Sequence, residues 1–149
     1  MKVQLKIFAI LIIPLLISCV DRKKNYEDCH HYMTIINNSD LVLYAIAASS
    51  YPDTIGFVDV IPNPLFNEKL TKVNPNSVNT DAVKDIETCM EVHFSKEVAG
   101  KRMDTMMVFL FREDSLLAND WKDAPNFVLK RYDLTIDDLN ALNWTVTYP

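Results

Sequence analysis

The chain of 149 residues has only two glycines, three cysteines and three histidines, and it carries no basic excess. Each shortage excludes something. A glycine-rich phosphate cradle needs several backbone positions without a Cβ, and two glycines cannot supply them. With 15 Lys+Arg against 20 Asp+Glu, the formal charge is −5. That is the wrong sign for following a phosphate backbone, so nucleic acid is not expected as a partner. No Gly-x-Ser-x-Gly elbow and no zinc-type Cys/His spacing occurs. A membrane-spanning run is also missing. The apolar stretch 7–17 has 11 residues, which rise only about 16 Å as a helix against a hydrocarbon core of about 30 Å.

That short stretch is nevertheless the most informative part of the chain. Lys2 and Lys6 precede it as a positive n-region, and Leu16-Ile17-Ser18-Cys19 closes it. The arrangement is that of a secretory signal peptide. Its last four residues resemble the lipobox of bacterial lipoproteins, in which the cysteine is acylated and becomes the new N-terminus. The resemblance implies a signal peptide over 1–18, a lipidated N-terminus and tether over 19–30 with Cys19 as the anchor, and a single domain over 31–149. Two or more acyl chains suffice for stable anchoring in a bilayer. Loss of Lys2 and Lys6 leaves 13 basic residues against 20 acidic ones, so the mature chain carries −7.

With Cys19 acylated, Cys29 and Cys89 remain. An even pair in an oxidising compartment predicts a disulfide, with two separate thiols as the alternative.

The rest of the chain reads as β-rich. Residues 33–36 and 41–49 are apolar and β-branched, and Asn37-Asn38-Ser39-Asp40 between them is a hairpin signal. Residues 50–80 hold Pro52, Pro62, Pro64 and Pro75, which predicts mostly loop with an edge strand over 57–61. A strand is expected over 82–86, followed by a short helical turn. Residues 105–111 are apolar on both alternating faces, as in a central strand covered on two sides. Asp114 or Ser115 should cap a helix through Leu116, Leu117 and Trp121. A further strand is expected over 127–132.

The tail is locally best specified. Thr135-Ile-Asp-Asp138 is a capping-box pattern with Asp in place of Glu, and Leu134 and Leu139 occupy hydrophobic-staple positions. Leu139 and Leu142 would share one face of the helix, Asn143 would end it, and Trp144, Val146 and Tyr148 would line a final strand. The expected fold class is mainly β, sandwich-like, with short helices.

Residues 35–39 (Ile-Ile-Asn-Asn-Ser), 51–54 (Tyr-Pro-Asp-Thr), Asn63-Pro64, and above all 129–135 (Leu-Lys-Arg-Tyr-Asp-Leu-Thr) and 143–149 (Asn-Trp-Thr-Val-Thr-Tyr-Pro) are similar to a group of uncharacterised lipoproteins of gut Bacteroidetes. The likeness covers most of 29–149 and is strongest over the last 20 residues. Members commonly have a Trp ahead of the middle strand, which residues 85–94 here lack. The resemblance implies an envelope-anchored domain and carries over no catalytic residue. Surface export in that phylum favours an acidic run after the lipid cysteine. The run here is Asp21-Arg-Lys-Lys24, which points to an outer-membrane lipoprotein facing the periplasm.

Chemistry is sparse. His30 and His31 are adjacent and point to opposite faces in an extended chain, so they would not share one ion. A Cys29–Cys89 bridge would bring His30, His31 and His93 into one neighbourhood, the one metal alternative beside the favoured reading of structural or solvated histidines; no metal site is expected and no cofactor is implied. Asp133, Asp137 and Asp138 lack the glycine turn of a calcium loop, and the first turn of a helix already favours acids. Tyr51-Pro52-Asp53-Thr54 reads as a simple turn, with a binding loop as the alternative. Trp121, Tyr132, Trp144 and Tyr148 are read as core, with an exposed sugar platform as the alternative. Three Asp-Ser/Thr-apolar tripeptides resemble O-glycosylation sites of exported Bacteroidetes proteins, at Thr54, Thr105 and Ser115. Thr54 and Ser115 are the better placed of the three. The expected function is a non-enzymatic interaction or structural domain, anchored through Cys19 and bound to an envelope protein. A small glycan- or ligand-binding module is the alternative.

Overall fold

The computed structural model describes residues 29–49, 51–52, 70–84, 89–94, 97–98, 101–102 and 104–149. The signal segment, Cys19, the tether to residue 28, Thr54 and the expected edge strand over 57–61 lie outside the described residues. In chain order come β1 (Tyr32–Asn37), β2 (Leu43–Ala48), β3 (Thr71–Val73), β4 (Ser77–Lys84), α1 (Met90–Phe94), β5 (Glu97–Val98) and β6 (Lys101–Arg102). They are followed by β7 (Thr105–Arg112), α2 (Glu113–Ala118), a 3₁₀ helix (Trp121–Phe127), β8 (Lys130–Thr135), α3 (Ile136–Ala141) and β9 (Thr145–Tyr148). The fold is mainly β with few, short helices, as expected.

The strands form two sheets and a two-residue pairing of β5 with β6. The first sheet has the order β4-β1-β9, with β1 antiparallel to β4 and parallel to β9. The second has the order β3-β2-β7-β8 and is antiparallel throughout. One buried cluster takes side chains from both sheets: Met33 and Ile35 of β1 and Val146 of β9 from the first, Leu43, Met106, Val108 and Leu110 from the second. The reverse face of the second sheet, with Ile46, Met107, Phe109 and Phe111, is covered by Leu116 of α2 and by Trp121 and Ala124 of the 3₁₀ helix. β7 therefore lies between β2 and β8 with core on both sides, which is why neither of its faces carries a charge before Arg112.

Asn37-Asn38-Ser39-Asp40 does not close a hairpin. β1 and β2 belong to different sheets, so the turn carries the chain from one to the other. Asn37 is the reason. Its side chain is fully buried, and Nδ2 donates to the Leu41 carbonyl at 2.7 Å and the Asn74 carbonyl at 2.9 Å. Its Oδ1 accepts from the Ser39 amide and hydroxyl. These bonds lock two turns together where the sheets meet, giving the buried Asn37 amide partners for both its nitrogen and its oxygen.

Other boundaries move too. The proline-bearing stretch contains β3 and the start of β4, and Pro75 sits in the turn between them, where no ladder amide is required. β4 begins well before residue 82, and the helical turn after it is α1. The expected strand over 127–132 runs instead over 130–135, because Phe127 still belongs to the 3₁₀ helix. Neither Asp114 nor Ser115 caps α2: Arg112 occupies the cap position without a side-chain cap bond, and Trp121 lies beyond the helix. Asp114 instead pairs with the Arg112 guanidinium, which holds its carboxyl below the usual carboxylate range.

The tail follows its local signals. Thr135 Oγ1 accepts from the Asp138 amide at 3.1 Å, and the Asp138 carboxylate accepts from the Thr135 amide at 2.9 Å, closing the capping box. Leu134 and Leu139 join the same buried cluster. The helix then ends in a Schellman arrangement: Trp144 N donates to Leu139 O and Asn143 N donates to Asn140 O, with Asn143 at φ 49°. Leu142 does not share the buried face of Leu139. It sits at the C-terminal cap and is exposed.

Candidate functional site

Titratable, sulfur and aromatic groups converge where the described chain begins, at Cys29-His30-His31. Cys29 and Cys89 are joined in a disulfide, their Cα atoms 5.2 Å apart. The bridge is one of four fastenings between residues 29–30 and the start of α1. The His30 carbonyl accepts from the Met90 amide at 2.8 Å. The His30 amide donates to both Glu91 carboxylate oxygens, at 3.0 and 3.2 Å. His30 Nδ1 lies 2.5 Å from Glu91 Oε1.

The other side of the imidazole meets the end of the chain. His30 stacks on Trp144 with ring centroids 4.3 Å apart and planes 14° from parallel. The indole is itself fixed, since Trp144 Nε1 donates to Asn140 Oδ1 at 3.0 Å and the Trp144 carbonyl accepts from the Thr34 amide at 2.9 Å. Trp144 lies at φ 54°, immediately after Asn143, so its side chain enters the core from the Schellman turn and not from β9 itself. Glu91 is mostly shielded while the His30 side chain keeps about a third of its surface.

His31 turns the other way, as adjacent residues in an extended chain must. Its Nε2 lies 3.3 Å from Cys29 Sγ. Cys29, His31 and Cys89, all half-buried, each offer a ligand atom within 4.8 Å of the others. The bridge thus brings His30 and His31 to one place but not to one partner, and the His93 side chain lies outside the described residues. Glu91 was not legible in the sequence: a single acid in a five-residue helix has no spacing signature.

The remaining candidates are dispersed. Asp138 is occupied by the cap, and its bonds from Thr135 hold its carboxyl below the usual range. Asp133 pairs with Arg131 Nε at 2.5 Å, and Asp137 is exposed in the first turn of α3. Ser115 is half-buried within α2, and Thr105 is half-buried at the start of β7. Tyr51 and Pro52 form an exposed turn beside Arg131, whose guanidinium lies 5.9 Å from the centre of the Tyr51 ring and 5.6 Å from that of Phe109. Trp121 and Trp144 are buried, and Tyr132 and Tyr148 are half-buried, so the four aromatics do not form an exposed platform.

One surface stands apart in composition. Alternation along β1 and the register with its neighbours put Tyr32, Thr34 and Ile36 on the outer face of the first sheet, beside Val78 of β4 and Thr145 and Thr147 of β9. These six side chains carry no charge, and Tyr32 and Val78 are 49% and 58% exposed, while Lys84 stands opposite Tyr32 in the register and Asp81 is exposed on the same edge strand. Among the described residues, no helix is long and apolar enough to cross a membrane. In comparisons with known proteins, no family model, curated protein or solved structure matches this chain.

Proposed function

We propose that the protein is a cell-envelope lipoprotein, anchored through acylated Cys19, whose sandwich-like β domain binds another envelope protein without catalysing a reaction. On this reading residues 1–18 are the signal peptide, and the anchor faces the periplasm from the outer membrane. The likeness to uncharacterised Bacteroidetes lipoproteins belongs to the same proposal. The observation that carries the interaction role is the uncharged Tyr32–Ile36–Val78 patch on the outer face of the β4-β1-β9 sheet, which Lys84, opposite Tyr32, and exposed Asp81 of β4 border. Exposed Tyr32 and Val78 with half-buried Ile36 between them, flanked by Thr34, Thr145 and Thr147, form a surface that a protein partner can desolvate at low cost.

The anchoring role draws support from the disulfide and the His30 bonds. They fasten the domain to residues 29–31, ten positions after Cys19, so a pull through the tether meets a cross-linked point. The glycan-binding alternative loses its main support with the burial of Trp121 and Trp144. Two measurements test the proposal. Cys19→Ser should release the protein from the membrane fraction, and retention that survives high salt overturns the anchor. A photo-crosslinker at position 78 should capture one discrete partner in cells while the same group at exposed Leu117 does not, and equal labelling from both positions overturns the interaction face.

A further inference from the structure

We propose that reduction of the Cys29–Cys89 bridge turns the N-terminal staple into a metal site, in which both thiolates and His31 Nε2 bind a borderline-soft cation of the zinc type. Three observations carry the proposal. The ligand atoms of Cys29, His31 and Cys89 already lie within 4.8 Å of one another, so small side-chain shifts bring them onto one ion. His31 Nε2 is 3.3 Å from Cys29 Sγ, facing the sulfur that a metal would take. The bonds that flank the bridge do not involve sulfur: His30 accepts from the Met90 amide and its own amide donates to Glu91. They hold residue 30, next to Cys29, against residues 90 and 91, next to Cys89, after the S–S bond is gone. The thiols therefore stay near one another without the covalent link.

The chemistry balances with an external dithiol as reductant. The dithiol gives two electrons and two protons, the S–S bond breaks, two Cys thiols form, and the reductant leaves as its own disulfide. Binding of a divalent cation then displaces the two thiol protons and forms two metal–sulfur bonds and one metal–nitrogen bond. Two thiolates and one imidazole are a ligand set that suits zinc, with a fourth position left for water. The oxidised protein cannot bind this way, because a sulfur bonded to sulfur is neutral and cannot become the thiolate that the metal requires. The site would thus report the redox state of its surroundings.

The test uses the full chain in detergent, reduced with a phosphine that is then removed without air. Cobalt(II) is titrated in as a coloured probe and displaced with zinc. The expected result is one cobalt per chain, with a thiolate charge-transfer band and the visible bands of a tetrahedral site. Zinc should raise the melting temperature of the reduced protein and leave that of the oxidised protein unchanged. His31→Ala should weaken binding by more than the roughly 10–100-fold that loss of an outer-shell partner costs. Absence of the charge-transfer band, or an affinity unaltered in His31→Ala, overturns the proposal. So does a reduced chain that loses its circular-dichroism signature of strands and does not regain it with zinc.

Discussion

The imidazole of His30 lies flat on the indole of Trp144, one residue from the beginning of the described chain and the other from its last turn. The contact joins three separate devices. His30 is tied to α1 through Glu91, Trp144 is tied to α3 through Asn140, and the Trp144 carbonyl is tied to β1 through Thr34. A single ring pair thus connects the disulfide-bearing N-terminal segment to the best-specified local structure in the molecule.

Removing the indole should be costly. Trp144 is 4% exposed, and Trp144→Ala leaves a cavity and an unsupported His30, an expected loss of about 3–5 kcal/mol. Against a total stability of about 5–15 kcal/mol, that change alone can prevent folding. Trp144→Phe keeps an aromatic surface for His30 but forfeits the bond to Asn140, an expected loss nearer 1 kcal/mol from the missing hydrogen bond plus a smaller packing defect. Chemical denaturation of the two variants gives the comparison. If Trp144→Ala unfolds at nearly the parent's denaturant midpoint, the residue is not a core element and a surface role for it returns.

The disulfide closes a separation of 60 residues. On the chain-entropy model such a loop contributes at most about 4 kcal/mol. The double variant Cys29→Ser, Cys89→Ser should lose less than this, since the His30 bonds still hold the segment. Native protein should resist alkylation at both positions until reduced. Two thiols that react freely in the folded oxidised protein would contradict the bridge.

How much of this could be read from the residues varies with the range over which each feature is decided. The tail was legible because its determinants lie within a few positions: Thr135 with Asp138, Leu134 with Leu139, and Asn143 at the end of the helix. β7 was legible because both alternating faces are apolar. The partnership of β1 was not. Asn37 through Asp40 states correctly that the chain turns, but which sheet receives the next strand depends on Leu41 and Asn74 carbonyls that only the folded chain brings to the Asn37 amide. Likewise, the cysteine count predicted the bridge, and the divergence of His30 and His31 followed from extended geometry. The clamp by Glu91 depends on α1 lying against residues 29–30, which no spacing in the sequence announces. Leu142 misled because a 3.6-residue repeat was extended one position past the helix that it describes.

The capping box predicts a dependence on pH with a definite sign. Hydrogen bonds from the Thr135 hydroxyl and amide hold the Asp138 carboxyl below its ordinary value in the folded protein. A lowered carboxyl contributes stability that is fully present above its unfolded value of about 3.9 and is lost as pH falls through the folded value. Thr135→Ala should cost about 1 kcal/mol near neutral pH through the lost cap. The gap between variant and parent should narrow as the solution is acidified into the carboxylate range. Melting temperatures followed from neutral to acid pH would show it, and a gap independent of pH would mean that Asp138 takes no part in the cap's contribution.

Asn37 offers the sharpest test of how the two sheets are coupled, because its amide acts as donor and acceptor at once. Asn37→Ala removes both functions and every hydrogen bond that the side chain makes, an expected loss of about 1–3 kcal/mol. Asn37→Asp preserves shape and acceptors but, when ionised, cannot donate to Leu41 or Asn74. It also places a charge at a site with no exposed surface, so at neutral pH it should be less stable than Asn37→Ala. The introduced carboxyl, desolvated and facing carbonyl oxygens, should have its folded value raised. Its stability relative to Asn37→Ala is then greatest below the unfolded value of about 3.9 and falls as pH rises above it. Urea denaturation of the two variants at acid and neutral pH should therefore show their order reversing or closing on acidification. If Asn37→Asp matches the parent at neutral pH, the amide donor is dispensable, and the crossover between sheets is held by the backbone turn alone.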